Sequence, residues 1–149
     1  PFTPERAGTV PNGQLLDICF SGNYSKEQVF KMLRGNGGVM GYLGTKDMRE
    51  VEKRIEQGDK KADLVFCAMV LQIAKEIGSC CAVLRGDVDR IILTGGIAHS
   101  KKMTDGIQSY VSAFAPVEIV PGEFENEALA LGALRVLRGE VQPIEFTEA

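Results

Sequence analysis

The residues best suited to chemistry stand where a short apolar run ends in paired glycines. The run is Ile91-Ile-Leu-Thr94, Gly95 and Gly96 follow it, and a helical pattern begins after Ser100. Open α/β sheets bind ligands at the carboxyl ends of their strands, and glycine there lets a flat base or a phosphate approach the main chain. The following helix start offers unpaired N–H groups to an anion. The spacing predicts a ligand site, although most strand–Gly–Gly turns are only tight turns.

Two strands and two helices must position this turn. The sequence predicts strands at Arg90–Leu93 and Val117–Val120, a helix at about Lys101–Phe114 between them, and a last helix at about Asn126–Arg138. This β-α-β-α order predicts two parallel strands joined by a right-handed crossover. Two strands and one possible third are too few for a well-covered parallel sheet. We therefore expect a missing segment or a partner chain to supply the rest.

Helical patterns dominate the first 84 residues, after an irregular start at 1–13 that holds three prolines and two glycines. Ser25, Thr45 and Asp59 are predicted N-caps, because their side-chain oxygens can accept hydrogen bonds from N–H groups of a first turn. The longest helix is apolar nearly all round, so we expect it to be the buried centre of the fold. The predicted helices cover residues 14–20, a stretch after Ser25, 46–57 and 60–84.

Five glycines lie within residues 35–44. They lack the G-x-G-x-x-G order and the lysine and serine of a phosphate loop, so a nucleotide fingerprint is not supported there. The sequence instead predicts a flexible loop around a short strand at Val39–Leu43.

Composition narrows the function classes. The chain has 149 residues, of which 44% are hydrophobic and 25% charged, as in one soluble globular domain. Its net charge of −3 argues against nucleic acid or an anionic membrane as the main partner. No unbroken apolar run approaches the roughly 20 residues that span a bilayer. No signal peptide is visible, and the start without methionine is compatible with a processed product or part of a longer protein.

The cysteines indicate a reducing compartment. None of the four stands in C-x-x-C spacing, and the chain has one histidine, so a zinc site is not expected. Cys67, Cys80 and Cys81 fall in an apolar helical pattern and are predicted to be reduced core residues. We therefore expect a cytoplasmic location.

Five ordered segments span nearly the whole chain: Pro1–Gly8 with Val10-Pro11, Gly41–Gly58, Ile91–Ala98, Ala115–Gly122 and Asn126–Glu140. Together they resemble the corresponding segments of butyrate kinases. These relatives of acetate kinases belong to the superfamily of sugar kinases, actin and heat-shock chaperone ATPases. The resemblance implies a helix-rich α/β fold, part of a ribonuclease-H-like lobe with a parallel βαβ unit near the carboxyl terminus. Residues 1–149 would form the carboxyl-terminal, nucleotide-binding lobe, without the first lobe and the early strands of the second.

The resemblance implies reversible transfer of the γ-phosphoryl group of ATP to butyrate, giving butyryl phosphate and ADP, with Mg2+ as cofactor. The isolated fragment would be inactive, because the cleft also needs the amino-terminal half. A branched-chain carboxylate kinase acting on isobutyrate and a non-catalytic nucleotide-binding or dimerisation fragment are alternatives. The implied partners are a short-chain carboxylate or acyl phosphate, the missing half and a second copy of the protein.

The resemblance implies two catalytic residues, Arg6 and Glu127. Arg6 matches an arginine thought to stabilise the transferring phosphoryl group, which a planar guanidinium can hold at two oxygens. Its alternative is a surface arginine in a flexible arm. Glu127 matches a glutamate implicated in magnesium binding and catalysis, and its alternative is a carboxylate that complements a helix dipole.

The resemblance also implies an adenosine pocket with two sides. Gly96 and Ile97 would pack on the adenine while Gly95 allows the approach, and Asp47 and Arg49 have a solvated first turn of a helix as their alternative. His99 is expected near the ribose without a catalytic role. The predicted nucleotide-binding residues are Asp47, Met48, Arg49, Gly95, Gly96, Ile97 and Ser100.

Overall fold

The computed structural model describes residues 1–144 and contains a two-stranded sheet among seven α-helices. A 3-10 helix at Gly96–His99 directly follows the first strand. The elements are α1 (Asn12–Phe20), α2 (Lys26–Leu33), α3 (Gly38–Leu43), α4 (Met48–Glu56), α5 (Lys60–Val83), β1 (Ile91–Gly95), α6 (Lys101–Val111), β2 (Val117–Pro121) and α7 (Glu125–Leu137).

The two strands are parallel, as the sequence predicts. Ile91 lies opposite Val117, and Gly95 lies opposite Pro121. Each strand extends beyond its predicted carboxyl end, because the parallel ladder continues through Thr94 opposite Val120 and through Gly95 opposite Pro121. Gly95 has a φ of 87°, a left-handed conformation that favours glycine.

Helix α5 forms one side of the core and packs against α3, α4 and α6. The face of α5 that contacts these helices is buried, and Met69 on it is fully inaccessible to solvent. The expectation that it is buried all round is wrong: Leu64 is 69% exposed and Val83 is 81% exposed. The reason is that the described elements cover only one side of the helix. Its buried residues are Ala62, Val65, Phe66, Met69, Val70, Ala74 and Cys81.

The apolar composition and partial exposure of α5 bear on two expectations, the absence of a membrane-spanning segment and the burial of the cysteines. By length and composition alone, α5 is apolar enough to cross a bilayer, a test that core helices of soluble proteins also pass. The prediction of core cysteines is wrong for Cys67 and Cys80, which are exposed, and is confirmed for Cys81, which is buried. All four cysteines are free.

The glycine-rich segment folds as the short helix α3, so the predicted strand at Val39–Leu43 is wrong. The amino-terminal arm decides this outcome: the N–H groups of Val39 and Met40 donate to the carbonyl oxygens of Thr3 and Pro4 at 3.1 and 2.8 Å. These carbonyls satisfy N–H groups that the first turn of a helix leaves unpaired. A contact far away in sequence therefore turns an apparent loop into a helix.

The predicted caps are confirmed at two of three helices. Ser25 forms a reciprocal capping box with Gln28, and Asp59 accepts hydrogen bonds from two N–H groups of α5. The prediction of Thr45 as a cap is wrong, because α4 begins two residues later than expected and Asp47 caps it. The Thr45 hydroxyl instead donates to Glu50 Oε2 at 2.7 Å.

Candidate functional site

A cleft of about 610 Å³ opens between the start of α4 and the turn that follows β1. Pro4 of the amino-terminal arm contributes to one rim. The lining residues are Pro4, Lys46, Asp47, Met48, Arg49, Glu52, Gly96, Ile97, His99 and Ser100.

The apolar part of the cleft is set by residues that also contact the core. Met48 and Ile97 are half-buried and pack against the core cluster, one from α4 and the other from the 3-10 helix. The core therefore fixes the position of both side chains. Gly96 adds bare main chain, and a Cβ there would lie 3.4 Å from a carboxylate oxygen of Glu123.

Asp47 and Arg49 are bound to each other at the mouth of the cleft. Asp47 Oδ1 accepts from the Arg49 N–H at 3.0 Å and from Arg49 Nε at 2.9 Å, while Asp47 Oδ2 lies 2.7 Å from Arg49 Nη2. The side-chain and backbone hydrogen bonds from Arg49 lower the pKa of Asp47 to about 2. The carboxylate in turn raises the pKa of Arg49. Asp47 is therefore ionised and already paired.

Two further contacts connect the walls of the cleft. Lys46 Nζ lies 3.0 Å from Glu5 Oε2 and ties the segment before α4 to the amino-terminal arm. The hydrogen bond and charge of Lys46 lower the pKa of Glu5. On the opposite side the Ser100 hydroxyl donates to Glu52 Oε1 at 2.5 Å, and the Ser100 oxygen accepts from the Met103 N–H at 3.0 Å.

The structure brings six of the nine predicted site residues into this cleft. Gly95 lies instead in a neighbouring cavity of about 270 Å³ with Gly122 and Phe124. The six are Asp47, Met48, Arg49, Gly96, Ile97 and Ser100.

The two predicted catalytic residues lie outside the cleft lining. Arg6 is exposed on the amino-terminal arm, where its backbone forms an antiparallel bridge with Arg34. Glu127 is exposed in the first turn of α7, a helix with no buried residue. Within residues 1–144, no three His, Cys, Asp or Glu side chains are grouped to hold a metal ion.

Three residues of the lining, Pro4, Lys46 and Glu52, are not among the predicted site residues. Glu52 could have been predicted from the sequence, because residues four apart lie on the same face of a helix and Glu52 follows Met48 by four. Pro4 and Lys46 depend on how the arm folds back. His99 also lines the cleft, and its expected position near the ribose stays a prediction.

Comparison with known proteins identifies the lineage. The model of the Acetokinase family matches residues 4–114, which are well over half of the chain. The chain belongs to the acetokinase family. Three solved structures share the fold of this chain. The acetate kinase of Porphyromonas gingivalis has a TM-score of 0.82 at 20% identity, covering 91% of this chain and 40% of its own.

The other two structures support the same fold. The acetate kinase of Entamoeba histolytica has a TM-score of 0.76 at 18% identity, over 89% of this chain and 42% of its own. A propionate kinase of Francisella tularensis has a TM-score of 0.73 at 20% identity, over 82% and 37%. The acetokinase-family chain thus spans about two fifths of each of these proteins. The helix-rich α/β class with its parallel βαβ unit is confirmed, while the finer assignment to butyrate kinases stays a prediction.

Proposed function

We propose that this chain is the nucleotide-binding part of a carboxylate kinase, which transfers the γ-phosphoryl group of ATP to a short-chain acid and forms an acyl phosphate and ADP. The observation that carries the proposal is the cleft between α4 and the glycine turn, where six predicted nucleotide-binding residues meet. Membership of the acetokinase family supports the reaction class.

The cleft suits the adenosine end of the nucleotide. Met48 and Ile97 offer apolar surface to a flat base, and Gly96 offers main chain without a side chain. Two charge pairs are closed there, Asp47 with Arg49 and Lys46 with Glu5, while the Glu52 carboxylate accepts only from the Ser100 hydroxyl among residues 1–144. Because the pairs cancel and the remaining charge is negative, the cleft favours a neutral base and sugar over a triphosphate.

The phosphoryl end would involve Arg6. The arm that carries it is held by hydrogen bonds on both sides of the residue, from the Ala7 N–H to Leu33 and from the Gly35 N–H to Glu5. Within residues 1–144, no carboxylate forms an ion pair with the Arg6 guanidinium, which leaves it able to bind two phosphoryl oxygens. These contacts support an ordered arm over the alternative of a flexible one.

Magnesium would be held mainly by the nucleotide phosphates and water, so one protein carboxylate is enough. Glu127 is the carboxylate that the resemblance to butyrate kinases favours. Its exposure in the first turn of α7 leaves it accessible.

Butyrate is the acid that we propose, on the resemblance of the sequence to butyrate kinases, with isobutyrate as the alternative. We also propose that the amino-terminal half of a longer kinase completes the cleft. The exposed apolar face of α7 supports an additional covering segment or a second copy, since Leu129 is 73% exposed and Leu137 is 82% exposed.

Trapping of acyl phosphate with hydroxylamine tests the reaction. The full product of the gene that encodes this chain is incubated with ATP, Mg2+ and butyrate, isobutyrate or acetate, beside the 149-residue chain alone. We expect hydroxamate from the full product, with butyrate as the best acid, and none from the chain alone. ADP binding without hydroxamate for any acid would contradict the kinase assignment and favour a non-catalytic nucleotide-binding or dimerisation role.

Two arginine variants test the role of Arg6 in the same assay. Arg6→Ala is expected to lower kcat with little change in the KM for ATP, because the guanidinium would act on the transferring group. Arg34→Ala is the matched control, since Arg34 is the exposed bridge partner of Arg6. A change confined to nucleotide affinity would remove Arg6 from the phosphoryl-transfer role.

A further inference from the structure

Two carboxylates line the cleft, Asp47 and Glu52, and they differ in what they can still bind. Both oxygens of Asp47 are engaged by Arg49, and one of them also accepts the backbone N–H that caps α4. A ligand would have to displace a paired arginine to reach Asp47. The predicted ligand role of Asp47 therefore becomes mainly structural in this geometry.

In Glu52, by comparison, one of the two carboxylate oxygens is still able to accept a hydrogen bond. Its Oε1 atom accepts from the Ser100 hydroxyl at 2.5 Å. Among residues 1–144, its Oε2 atom has no hydrogen-bond or ion-pair partner. The side chain is half-buried in the cleft wall, so Ser100 fixes its position while one oxygen stays able to accept a hydrogen bond.

We propose that Glu52 determines the sugar specificity of the site by accepting a hydrogen bond from a ribose hydroxyl of the bound nucleotide. This inference rests on the proposed nucleotide site. Met48 lies one turn before Glu52 on α4, and Ser100 lies just beyond the glycine turn. A base against Met48 and Ile97 would place its sugar near the carboxylate. A carboxylate is a strong acceptor for hydroxyl groups, and hydrogen bonds to charged groups are the stronger class.

A purely structural reading of Glu52 has a different consequence. If the carboxylate only joins α4 to the start of α6 through Ser100, its removal loosens the cleft for every nucleotide equally. A ribose contact instead changes the ratio between ligands that have the hydroxyl and ligands that lack it. That ratio separates the two roles.

The test measures binding of ADP, 2′-deoxy-ADP and 3′-deoxy-ADP to the full gene product by titration calorimetry. We expect the wild type to prefer ADP over at least one deoxy analogue by about tenfold or more, the range of a hydrogen bond to a charged group. Glu52→Ala is expected to lose that preference, and Glu52→Gln, which keeps an acceptor oxygen, is expected to retain part of it. Glu56→Ala, one turn further along α4 and exposed, is the control.

The outcomes separate this inference from the proposal beneath it. Equal weakening of ADP and both deoxy analogues in Glu52→Ala would overturn the specificity role and leave the nucleotide site standing. Equal wild-type affinities for all three ligands would also overturn the specificity role. If Glu52→Ala does not fold, a Glu52→Gln protein that keeps the full wild-type preference overturns it. A wild type that binds no ADP overturns the nucleotide site and the role of Glu52 with it.

Discussion

The amino-terminal arm is held against α3 by glycines that leave no room for a side chain. Gly38 has a φ of 58°, and a Cβ there would collide with the Thr3 carbonyl oxygen and lie 2.6 Å from the Arg6 carbonyl oxygen. We expect Gly38→Ala to force the arm away from α3. Phe2 is 5% exposed and stacks edge-to-face on Tyr42, so its burial depends on the same contact.

The magnitude follows from two separate costs. The left-handed backbone costs a non-glycine residue about 1–2 kcal/mol, and forcing extra atoms into a packed site costs about 1–3 kcal/mol. Gly38→Ala therefore lowers the free energy of unfolding by about 2–5 kcal/mol, a large share of the roughly 5–15 kcal/mol of a typical domain.

Two other glycines serve as controls for the separate costs. Gly44→Ala meets open space at a φ of 73° and reports the backbone cost alone. In Gly37→Ala the φ of −89° is ordinary, but the Cβ would lie 2.5 Å from the Met32 carbonyl oxygen, so it reports crowding alone. Urea denaturation with unchanged m-value measures all three. A Gly38→Ala protein no less stable than Gly44→Ala would refute the close packing of the arm.

Three further predictions test the fold and the cleft. Met69→Ala is expected to cost about 2–5 kcal/mol in the free energy of unfolding, whereas Leu64→Ala, on the exposed face of α5, is expected to change it by less than about 0.5 kcal/mol; similar losses would mean that both faces of α5 are covered. NMR of the Asp47 carboxyl carbon is expected to give a pKa of about 2 for this group. The ionised carboxylate therefore stabilises the fold above the ordinary pKa of 3.8, and this contribution is lost as the pH falls toward 2. Arg49→Gln is expected to raise that pKa toward 3.8, and an unchanged value would contradict the pairing. Gly96→Val is expected to fold and to abolish measurable ADP binding, because its side chain occupies the wall that the base would contact; unchanged affinity measured by calorimetry would rule out that wall.

Local sequence signals predicted the elements that depend on neighbouring residues. The cap at Ser25 and the cap at Asp59 follow from hydrogen bonds within one turn. The parallel pairing of β1 and β2 follows from the order of strand, helix and strand. In each case the deciding partners lie within the same short unit.

Long-range contacts account for what the sequence did not predict. Helix α3 depends on the carbonyl oxygens of Thr3 and Pro4, which lie more than 30 residues away in the chain. The exposed face of α5 depends on which elements cover it, and its composition does not reveal that. At the site, the mutual pairing of Asp47 and Arg49 and the unused oxygen of Glu52 required side-chain geometry.

The most direct test of the nucleotide cleft is methyl NMR of the full gene product, labelled at methionine and isoleucine methyl groups and titrated with ADP. Met48 and Ile97 line the cleft, while Met32 and Ile18 line a separate apolar cavity between α1 and α2. We expect saturable shifts at Met48 and Ile97 and none at Met32 or Ile18. Saturable binding that leaves Met48 and Ile97 unchanged would contradict the assignment of this cleft to the nucleotide.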